Sequence, residues 1–274
     1  MTNVKPLIVI KYGTHAITHN NQLNLDAIED GAIQIEQLLS DYRIIVVSSG
    51  AVAAGRSLYQ QNGRTCKKEM GTIEEKQLMA SIGQQPFLQA YQYKYEESGL
   101  LIGPCLFTKL DFHNLQHREQ SMRTLTNLME EKNIVPVINE NDVTAVDELK
   151  FGDNDALAAD IAIHMQASRL IYVTHHDGIY TENPEIDPEA TLIGTLSEME
   201  QIKSCASKST GGTGGAISKA IHAFRANKLG IEVDIVNVDE KDVLLRLLQK
   251  REHIGTHINV GAEELSTYRY PPPS

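Results

Sequence analysis

Two lysines, Lys11 and Lys219, stand next to glycine-containing segments in which backbone amides can approach a ligand. Lys11 follows the apolar run LIVI and precedes Gly13, and Lys219 ends the segment STGGTGGAISK. We predict that Ser218 and Lys219 occupy the first turn of the helix behind these glycines, where a positive charge opposes the helix dipole and so indicates an anionic ligand. Two lysines on separate loops suit phosphoryl transfer, since its catalysis consists chiefly of positioning the reactants and neutralising charge on the transferred oxygens.

The segment ELKFGDNDALAAD at 148–160 adds three consecutive polar side chains, Asp153, Asn154 and Asp155. Asp and Asn are common at helix starts because their oxygens accept the unpaired amide hydrogens of the first turn, so the segment fits a helix cap. It also fits a metal site or a substrate clamp. A carboxylate such as Asp155, placed between the two lysines, would keep their ammonium groups next to each other. If the group that accepts the phosphoryl group is a carboxylate, its reference pKa of about 4 leaves it ionised at pH 7, and no histidine base is needed to remove a proton from it.

Weaker signals follow two of the predicted strands. The segment IKYGTH places Gly13 and Thr14 after the first strand, and VSSGAVAAGR places Ser48, Ser49 and Gly50 before a helix of small residues. Either turn fits an anion at a helix N-terminus, and either fits a plain tight turn. The chain has no Walker A spacing and no GxGxxG after a strand, which argues against a P-loop protein and a Rossmann dehydrogenase.

Short apolar runs typical of strands alternate with longer segments typical of helices. The predicted strands are at 7–13, 43–50, 100–107, 133–139, 169–174 and 233–238, and the predicted helices are at 25–42, 73–97, 116–132, 155–167, 217–230 and 240–250. Most of the strands are apolar on both faces, which is typical of a parallel sheet buried between helix layers. The alternation predicts an α/β fold, a three-layer αβα sandwich with an open, mainly parallel sheet.

The segment DVTAVDELKFGDN at 142–154 is too short for a crossover between parallel strands and is predicted to form a β-hairpin. It follows the strand at 133–139, and ligands of open α/β sheets bind at the carboxyl ends of the strands. The hairpin is therefore either a flap over a substrate or a solvent-facing loop without a catalytic role.

Composition excludes several classes of protein. With 274 residues, 41% of them hydrophobic, the chain can bury a sizeable core, and its net charge of −11 disfavours nucleic acid and anionic membranes as partners. Cys66, Cys105 and Cys205 are too scattered for a disulfide framework or a zinc site. We expect a cytoplasmic protein, because the N-terminus lacks the pattern of a signal peptide and no apolar run approaches the roughly 18 residues of a membrane span.

Several of these segments together resemble the amino acid kinase family, and most closely its members that phosphorylate L-glutamate. The resemblance covers nearly the whole chain and rests on IKYGT, IIVVSSGAVAAGR, KQLMASIGQQ, NIVPVINENDVTAVDELKFGDNDALAA, DGIYTENP and TGGTGGAISK. It implies phosphorylation of the side-chain carboxylate of L-glutamate to L-glutamyl 5-phosphate, the first step of proline biosynthesis. The donor would be ATP, with Mg²⁺ bridging its phosphates.

The resemblance also implies how the chain is organised. One amino acid kinase domain would span residues 1–274, with the amino acid bound by the N-terminal part and the nucleotide by the part from about residue 165. Many relatives carry a C-terminal PUA domain, and none is expected here because too few residues follow the last strand.

The resemblance assigns roles to matching positions of this sequence. Lys11 and Lys219 match lysines that bind phosphate and stabilise the transition state, and Asp155 matches the carboxylate that organises them. The positions that match substrate contacts are Ser49, Gly50, Asp142 and Asn154. The positions that match nucleotide contacts are Lys11, Gly13, Thr174, His175, Thr213, Gly214, Gly215, Ala216, Ile217, Ser218 and Lys219. No residue is expected to ligate a metal directly, since the ATP phosphates would carry Mg²⁺.

Partners beyond the two substrates are implied in the same way. The acyl phosphate product is labile, so channelling to a glutamyl phosphate reductase is expected. A homo-oligomer, either a dimer or a tetramer, and feedback inhibition by proline are implied as well.

The chain departs from the usual family pattern close to the nucleotide. His175 follows Thr174 where relatives usually carry aspartate, Ala216 stands where many carry methionine, and Tyr12 and His15 replace smaller residues. The missing carboxylate leaves two alternatives open: a catalytically impaired homologue that senses an amino acid, or a sister kinase with another carboxylate acceptor. Retention of the two lysines and their carboxylate favours an active enzyme.

Overall fold

The computed structural model describes residues 4–19, 22–144, 154–184, 186–198 and 213–260. The strands within these residues are Leu7–Tyr12 (β1), Thr18–His19 (β2), Gln22–Leu23 (β3), Arg43–Ser48 (β4), Leu101–Phe107 (β5), Ile134–Glu140 (β6), Arg169–Thr174 (β7), Thr195–Leu196 (β8), Glu232–Asn237 (β9) and Thr256–Ile258 (β10). The helices are Thr14–Ile17 (α1), Leu25–Leu38 (α2), Ala51–Gln61 (α3), Ile73–Glu97 (α4), Lys109–His113 (α5), Leu115–Glu130 (α6), Asn154–His164 (α7), Thr213–Lys228 (α8) and Val243–Leu248 (α9). Every strand and helix predicted from the sequence has a counterpart among them.

Eight of the described strands form one sheet, in the order β5–β6–β4–β1–β7–β9–β10–β8. β1 lies near its centre and pairs in parallel with β4 on one side and β7 on the other. The outer pairs are parallel too, except that β10 runs antiparallel to β9. β2 and β3 form a separate antiparallel ribbon. The predicted open, mainly parallel sheet is therefore confirmed.

Hydrophobic side chains pack on both faces of this sheet. On one face, Leu7 and Val9 of β1 belong to a buried cluster that includes residues of α6, α7 and α8. On the other face, Ile8 and Ile10 belong to a cluster with residues of α2, α4 and α9. Because alternate residues of a strand point to opposite faces, a strand that is apolar throughout is buried between two helix layers. The predicted three-layer αβα sandwich is confirmed.

Helices α3 and α4 cross with their backbones in contact. A Cβ atom at Gly83 would lie 1.8 Å from the carbonyl oxygen of Ala51, and one at Gly55 would lie 1.9 Å from that of Met79. Only glycine leaves room for so close a crossing. Since α3 begins directly after Gly50, the crossing also fixes the position of the serine turn that precedes it.

One helix begins earlier than predicted. α8 starts at Thr213 rather than four residues later, so Gly214, Gly215 and Ala216 are helical and Lys219 lies in the second turn. Glycine is disfavoured in a helix by only about 1 kcal/mol per residue, which packing can outweigh. The prediction that Lys219 opposes the helix dipole from the first turn is therefore wrong, because that effect is strong only in the first turn.

Some predictions concern residues beyond the described ranges. Residues 145–153, which carry most of the predicted hairpin at 142–154, lie outside them, and so does Cys205. The short elements α1, α5, β2, β3, β8 and β10 were not predicted, because so few residues give no periodic pattern. Among the described helices, none combines the length and the apolar composition that crossing a membrane requires.

Candidate active site

The carboxyl ends of β1, β4, β6 and β7 meet along one edge of the sheet, as their parallel arrangement requires. Lys11 is the penultimate residue of β1, while Ser48, Glu140 and Thr174 end the other three strands. These strands are almost entirely buried, so their ends are firm supports for the side chains that follow. Ligands of open α/β sheets bind at such an edge.

Two lysines from distant parts of the chain converge there on one carboxylate. Lys11 Nζ forms an ion pair with Oδ1 of Asp155, and Lys219 Nζ donates a hydrogen bond of 2.7 Å to Oδ2. The side chains of Lys11 and Asp155 are each 6% exposed, and that of Lys219 is 13% exposed. Asp155 thus holds two ammonium groups side by side and neutralises one of their two charges.

The ionisation of Asp155 follows from these contacts. Burial would raise the pKa of its carboxyl group, but the charges of Lys11 and Lys219, together with their hydrogen bonds, outweigh burial and lower the pKa to about 2. Asp155 is therefore ionised at neutral pH. Since a buried charge is costly without its partners, the three side chains depend on one another.

Tyr172 of β7 lies against this cluster and was not predicted from the sequence. The side chain is fully buried, its hydroxyl donates a hydrogen bond of 3.0 Å to the backbone carbonyl of Asp155, and its ring centre is 5.0 Å from Lys219 Nζ. In the sheet it is the direct neighbour of Lys11. A tyrosine within an apolar strand indicates only that a buried hydroxyl needs a partner, and the sequence does not identify that partner.

β4 ends at Ser48, and the turn after it carries Ser49 ahead of Gly50. The hydroxyls of Ser48 and Tyr91 of α4 share a buried hydrogen bond of 2.6 Å, which anchors the turn to the helix layer. Gly50 has a φ of 122°, in the region that favours glycine, and a Cβ there would lie 2.9 Å from Cδ1 of Ile17. The turn is therefore a fixed support for Ser49.

Asn154 is the first residue of α7, and its side chain contacts the ends of two strands. Nδ2 donates to Ser49 Oγ and to Asn139 Oδ1, both at 2.9 Å, while Oδ1 accepts a hydrogen bond of 3.1 Å from the backbone N of Glu140. The side chain does not cap its own helix, so the capping interpretation is wrong for Asn154. Asp153, the other residue that the capping interpretation concerns, lies outside the described part of the chain.

Asn139 and Asp142 flank the end of β6. Asn139 is buried, and its Oδ1 accepts hydrogen bonds of 2.9 Å from both Glu140 N and Asn154 Nδ2. Asn139 was not predicted as a site residue, although a polar residue at the end of an apolar strand on the ligand edge is a signal for such a role. Asp142 is half-buried two residues beyond β6, on the same edge.

The ends of β1 and β7 form the other half of the edge. The backbone N of Gly13 donates a hydrogen bond of 3.0 Å to Val173 O, which joins the two turns. The hydroxyl of Thr174 donates to His176 O at 2.7 Å and accepts from His176 N at 3.1 Å. The hydroxyl of Thr174 therefore fixes the backbone of the turn after β7.

Three histidines cluster beside that turn. The ring centres of His15 and His175 are 5.1 Å apart, and those of His175 and His176 are 3.8 Å apart. Imidazoles thus occupy the place where the family resemblance leads us to expect a carboxylate. Within the described residues, no three His, Cys, Asp or Glu side chains are grouped so that they could hold a metal ion.

The start of α8 carries the remaining predicted nucleotide contacts. The helix opens with Thr213, Gly214, Gly215 and Ala216 and continues with Ile217, Ser218 and Lys219. Ile217 packs against the core, whereas Lys219 reaches the carboxylate of Asp155. The structure therefore connects this helix start to the edge of the sheet through Lys219.

Comparison with known proteins adds the following relatives. The profile of the amino acid kinase family matches residues 6–237. A protein of Haemophilus influenzae called glutamate 5-kinase is 36% identical over 257 residues, which are 92% of this chain and 68% of the relative. A protein of Clostridium acetobutylicum with the same name is 36% identical over 261 residues, 93% of this chain and 95% of the relative.

Solved structures of other kinases share the fold. An isopentenyl phosphate kinase superimposes with a TM-score of 0.64 at 17% identity, over 92% of this chain and 100% of its own. A UMP kinase from Ureaplasma parvum superimposes with a TM-score of 0.61 at 16% identity, over 93% of this chain and 99% of its own. At such low identity the likeness concerns the fold alone.

Proposed function

The chain belongs to the amino acid kinase family, and from that membership we propose that it transfers the γ-phosphate of ATP to the side-chain carboxylate of L-glutamate. The product would be L-glutamyl 5-phosphate, which makes the reaction that of a glutamate 5-kinase and the first step of proline biosynthesis. The observation that carries the proposal is the pair of Lys11 and Lys219, held together by Asp155.

This arrangement suits the chemistry of the reaction. A carboxylate oxygen of glutamate attacks the γ-phosphorus, so that one P–O bond forms while the bond to the leaving oxygen of ADP breaks. The acceptor is already ionised at pH 7, and no base has to remove a proton from it. Negative charge spreads over the transferred oxygens and ADP, and ammonium groups held ready at those oxygens stabilise it. Asp155 keeps Lys11 and Lys219 adjacent while leaving one positive charge for that purpose.

The nucleotide would bind along the ends of β1 and β7 and the start of α8. We assign its contacts to Lys11, Gly13, Thr174, His175 and the residues from Thr213 to Lys219, most of which belong to the part of the chain after about residue 165. The excess positive charge of the lysine cluster fits a polyphosphate. Mg²⁺ carried by ATP would neutralise part of the phosphate charge.

L-glutamate would bind between the turn after β4 and the end of β6. Ser49 and Asn154, already joined by a hydrogen bond, offer a hydroxyl and an amide at that place, beside the backbone of Gly50. Asp142 would supply the opposite charge for the amino group of a free amino acid, which a partly desolvated cation requires.

An assay with a panel of acceptors tests the proposal. With L-glutamate, ATP and Mg²⁺ we expect ADP release and, when hydroxylamine is present, an equal amount of γ-glutamyl hydroxamate. L-aspartate, acetylglutamate, carbamate and uridylate serve as alternative acceptors. Robust turnover with one of these and none with L-glutamate would contradict the proposal and favour a sister kinase.

The histidine cluster supports a second candidate function, that of a homologue which binds an amino acid without transferring phosphate. His175 stands where relatives usually carry aspartate, so the turn that would hold the nucleotide lacks that carboxylate, and the rings of His15 and His176 lie beside His175. Calorimetry that detects binding of glutamate or proline but no binding of ATP with Mg²⁺ would favour this candidate. The buried lysine pair argues against it, because a sensor has no use for two ammonium groups held at a shared carboxylate.

The proposed reaction brings further expectations. We infer a homo-oligomer, which light scattering after size-exclusion chromatography would measure, and inhibition of the assay by proline. Because an acyl phosphate is labile, we also infer transfer of the product to a glutamyl phosphate reductase. The use of ATP supports a cytoplasmic location.

A further inference from the structure

We propose that Tyr172 is a positioning residue, which fixes Lys219 and Asp155 in the arrangement that phosphoryl transfer requires. The side chain is fully buried, so it acts through the groups it contacts and not on the substrates. The kinetic consequence of this proposal rests on the proposed function. The contacts themselves do not, and they can be tested without turnover.

Tyr172 is connected to each member of the charged cluster. Its hydroxyl donates to the backbone carbonyl of Asp155 at 3.0 Å, which ties the first turn of α7 to β7. Its ring centre lies 5.0 Å from the ammonium of Lys219. Its backbone pairs with that of Lys11 in the sheet. One residue of a rigid central strand therefore supports all three groups.

Lys219 is the member that most needs such support. Lys11 extends from a buried strand and its side chain is 6% exposed, whereas Lys219 reaches the cluster from the second turn of α8 and its side chain is 13% exposed. An ammonium group within about 6 Å of the centre of an aromatic ring is attracted to the ring face, most strongly where water is excluded. The ring of Tyr172 therefore favours the orientation in which Lys219 reaches Asp155, before any substrate binds.

Two substitutions distinguish the contribution of the Tyr172 ring from that of its hydroxyl. Tyr172→Phe keeps the ring next to Lys219 and removes only the hydrogen bond to Asp155, whereas Tyr172→Leu removes both. In the hydroxamate assay we expect Tyr172→Leu to lower kcat about tenfold or more, while the KM values for glutamate and ATP change little. Tyr172→Phe should retain a larger part of kcat, because the conservative variant preserves the contact with the ammonium.

Tyr95→Leu is the matched control. Tyr95 of α4 is 1% exposed and belongs to the hydrophobic cluster on the opposite face of the sheet, away from Lys219. Both leucine variants lose a buried tyrosine ring and a similar share of stability, which urea unfolding would measure. If Tyr172 were merely structural, the two variants would lose equal fractions of kcat.

Nuclear magnetic resonance provides a readout that does not depend on turnover. In protein with ¹³C-labelled lysine, the Cε protons of Lys219, assigned with Lys219→Arg, should resonate upfield of the other lysines because they lie over an aromatic ring. The upfield shift should persist in Tyr172→Phe and disappear in Tyr172→Leu.

Two results would overturn the proposal: a wild-type Lys219 signal without an upfield shift, or a kcat of Tyr172→Leu no lower than that of Tyr95→Leu. A wild-type protein without glutamate turnover would contradict the proposed function alone. The resonance of Lys219 in the three proteins would then still decide whether Tyr172 fixes that side chain.

Discussion

The side-chain amide of Asn154 donates a hydrogen bond of 2.9 Å to the hydroxyl of Ser49, a residue 105 positions earlier in the chain. The same amide binds Oδ1 of Asn139, so one side chain joins the ends of β4 and β6 to the start of α7. Because Ser49 Oγ accepts the hydrogen of Asn154, its own hydroxyl hydrogen remains available to donate. The pair therefore presents an oriented donor at the place where we propose that the acceptor binds.

Replacing Asn154 by alanine should weaken binding of the acceptor. Without the amide, the Ser49 hydroxyl loses its orientation and Asn139 loses a partner. We expect the KM for L-glutamate to rise about tenfold, the worth of one hydrogen bond to a charged ligand, with the KM for ATP within about a factor of two. Asn114→Ala is the control, because Asn114 caps α6 by accepting from His117 N at 3.1 Å and is not among the residues to which we assign a substrate contact. Equal KM values in both variants would exclude a substrate-side role for Asn154.

Asp155→Asn should impair both catalysis and stability. The substitution keeps the size of the side chain but leaves Lys11 and Lys219 buried without their carboxylate. Breaking a buried pair costs about 3 kcal/mol of unfolding free energy, and mispositioned ammonium groups should lower kcat about 100-fold or more. Steady-state hydroxamate formation and urea unfolding would measure the two effects.

Asp160→Asn is the matched control for that experiment. Asp160 lies on the same helix and is also buried, and it pairs with Arg225 of α8 rather than with the two lysines. Its loss should destabilise the protein to a similar extent and leave kcat nearly unchanged. A kcat that falls equally in both variants would mean that stability, and not the lysine pair, explains the loss.

The strands and long helices could be predicted from the sequence because the signals for them are local. The run LIVIKY is apolar on both faces, and that pattern alone indicates a central parallel strand. The edge at which Lys11 and Thr174 lie then follows from the rule that ligands bind at the carboxyl ends of such strands. The individual roles of these residues came from the family resemblance and not from the pattern.

Other features depend on tertiary contacts that no local pattern encodes. Tyr172 looks like one more residue of an apolar strand until Asp155 and Lys219 are placed beside it. The glycines of the segment that starts at Thr213 favour a loop by local propensity, whereas the structure has a helix there. The sequence cannot distinguish a capping role of Asn154 from a bridging role, because the same side chain serves both.

The crossing of α3 and α4 should not tolerate a methyl group. Gly83→Ala would place a Cβ 1.8 Å from the carbonyl oxygen of Ala51, so the helices must separate. We expect a loss of about 3 kcal/mol in unfolding free energy, at the upper end of the usual cost of overpacking. Because Ala51 begins the helix behind the Ser49 turn, the KM for L-glutamate should rise as well. Gly194→Ala is the control, since a Cβ at Gly194 meets no atom within 4 Å; equal stability of the two variants would contradict the prediction.

Stability should depend on pH through His257. Its hydrogen bond to the buried carboxylate of Asp234 raises the pKa of the imidazole, although burial opposes the shift and Arg169 weakens it. The protonated form therefore favours the folded state. Its contribution is complete below the ordinary histidine pKa of about 6.5 and is lost as pH rises through the raised value.

Urea unfolding of the wild type and of His257→Gln, from pH 5.5 to 8.5, would measure this contribution. The difference in unfolding free energy should be largest at the acidic end and should shrink as pH rises. His253→Gln is the control, because His253 is exposed nearby and has no ion pair with Asp234. A difference that grows with pH would contradict the assigned sign.

Replacing His175 by aspartate tests how much this departure from the family pattern affects the binding of ATP. The turn after β7 is fixed by the Thr174 hydroxyl, which bonds both backbone groups of His176, and the side chain of His175 is exposed. We therefore expect His175→Asp to leave the KM for ATP within about threefold of the wild-type value, since a surface substitution that leaves the backbone in place has a small effect. Thr174→Val, which removes the two hydrogen bonds to His176, should raise the KM for ATP about tenfold.

An affinity for ATP that improves more than about tenfold in His175→Asp, together with a gain in kcat, would mean that the histidine impairs the nucleotide site. That result would favour the homologue that senses an amino acid over the active kinase.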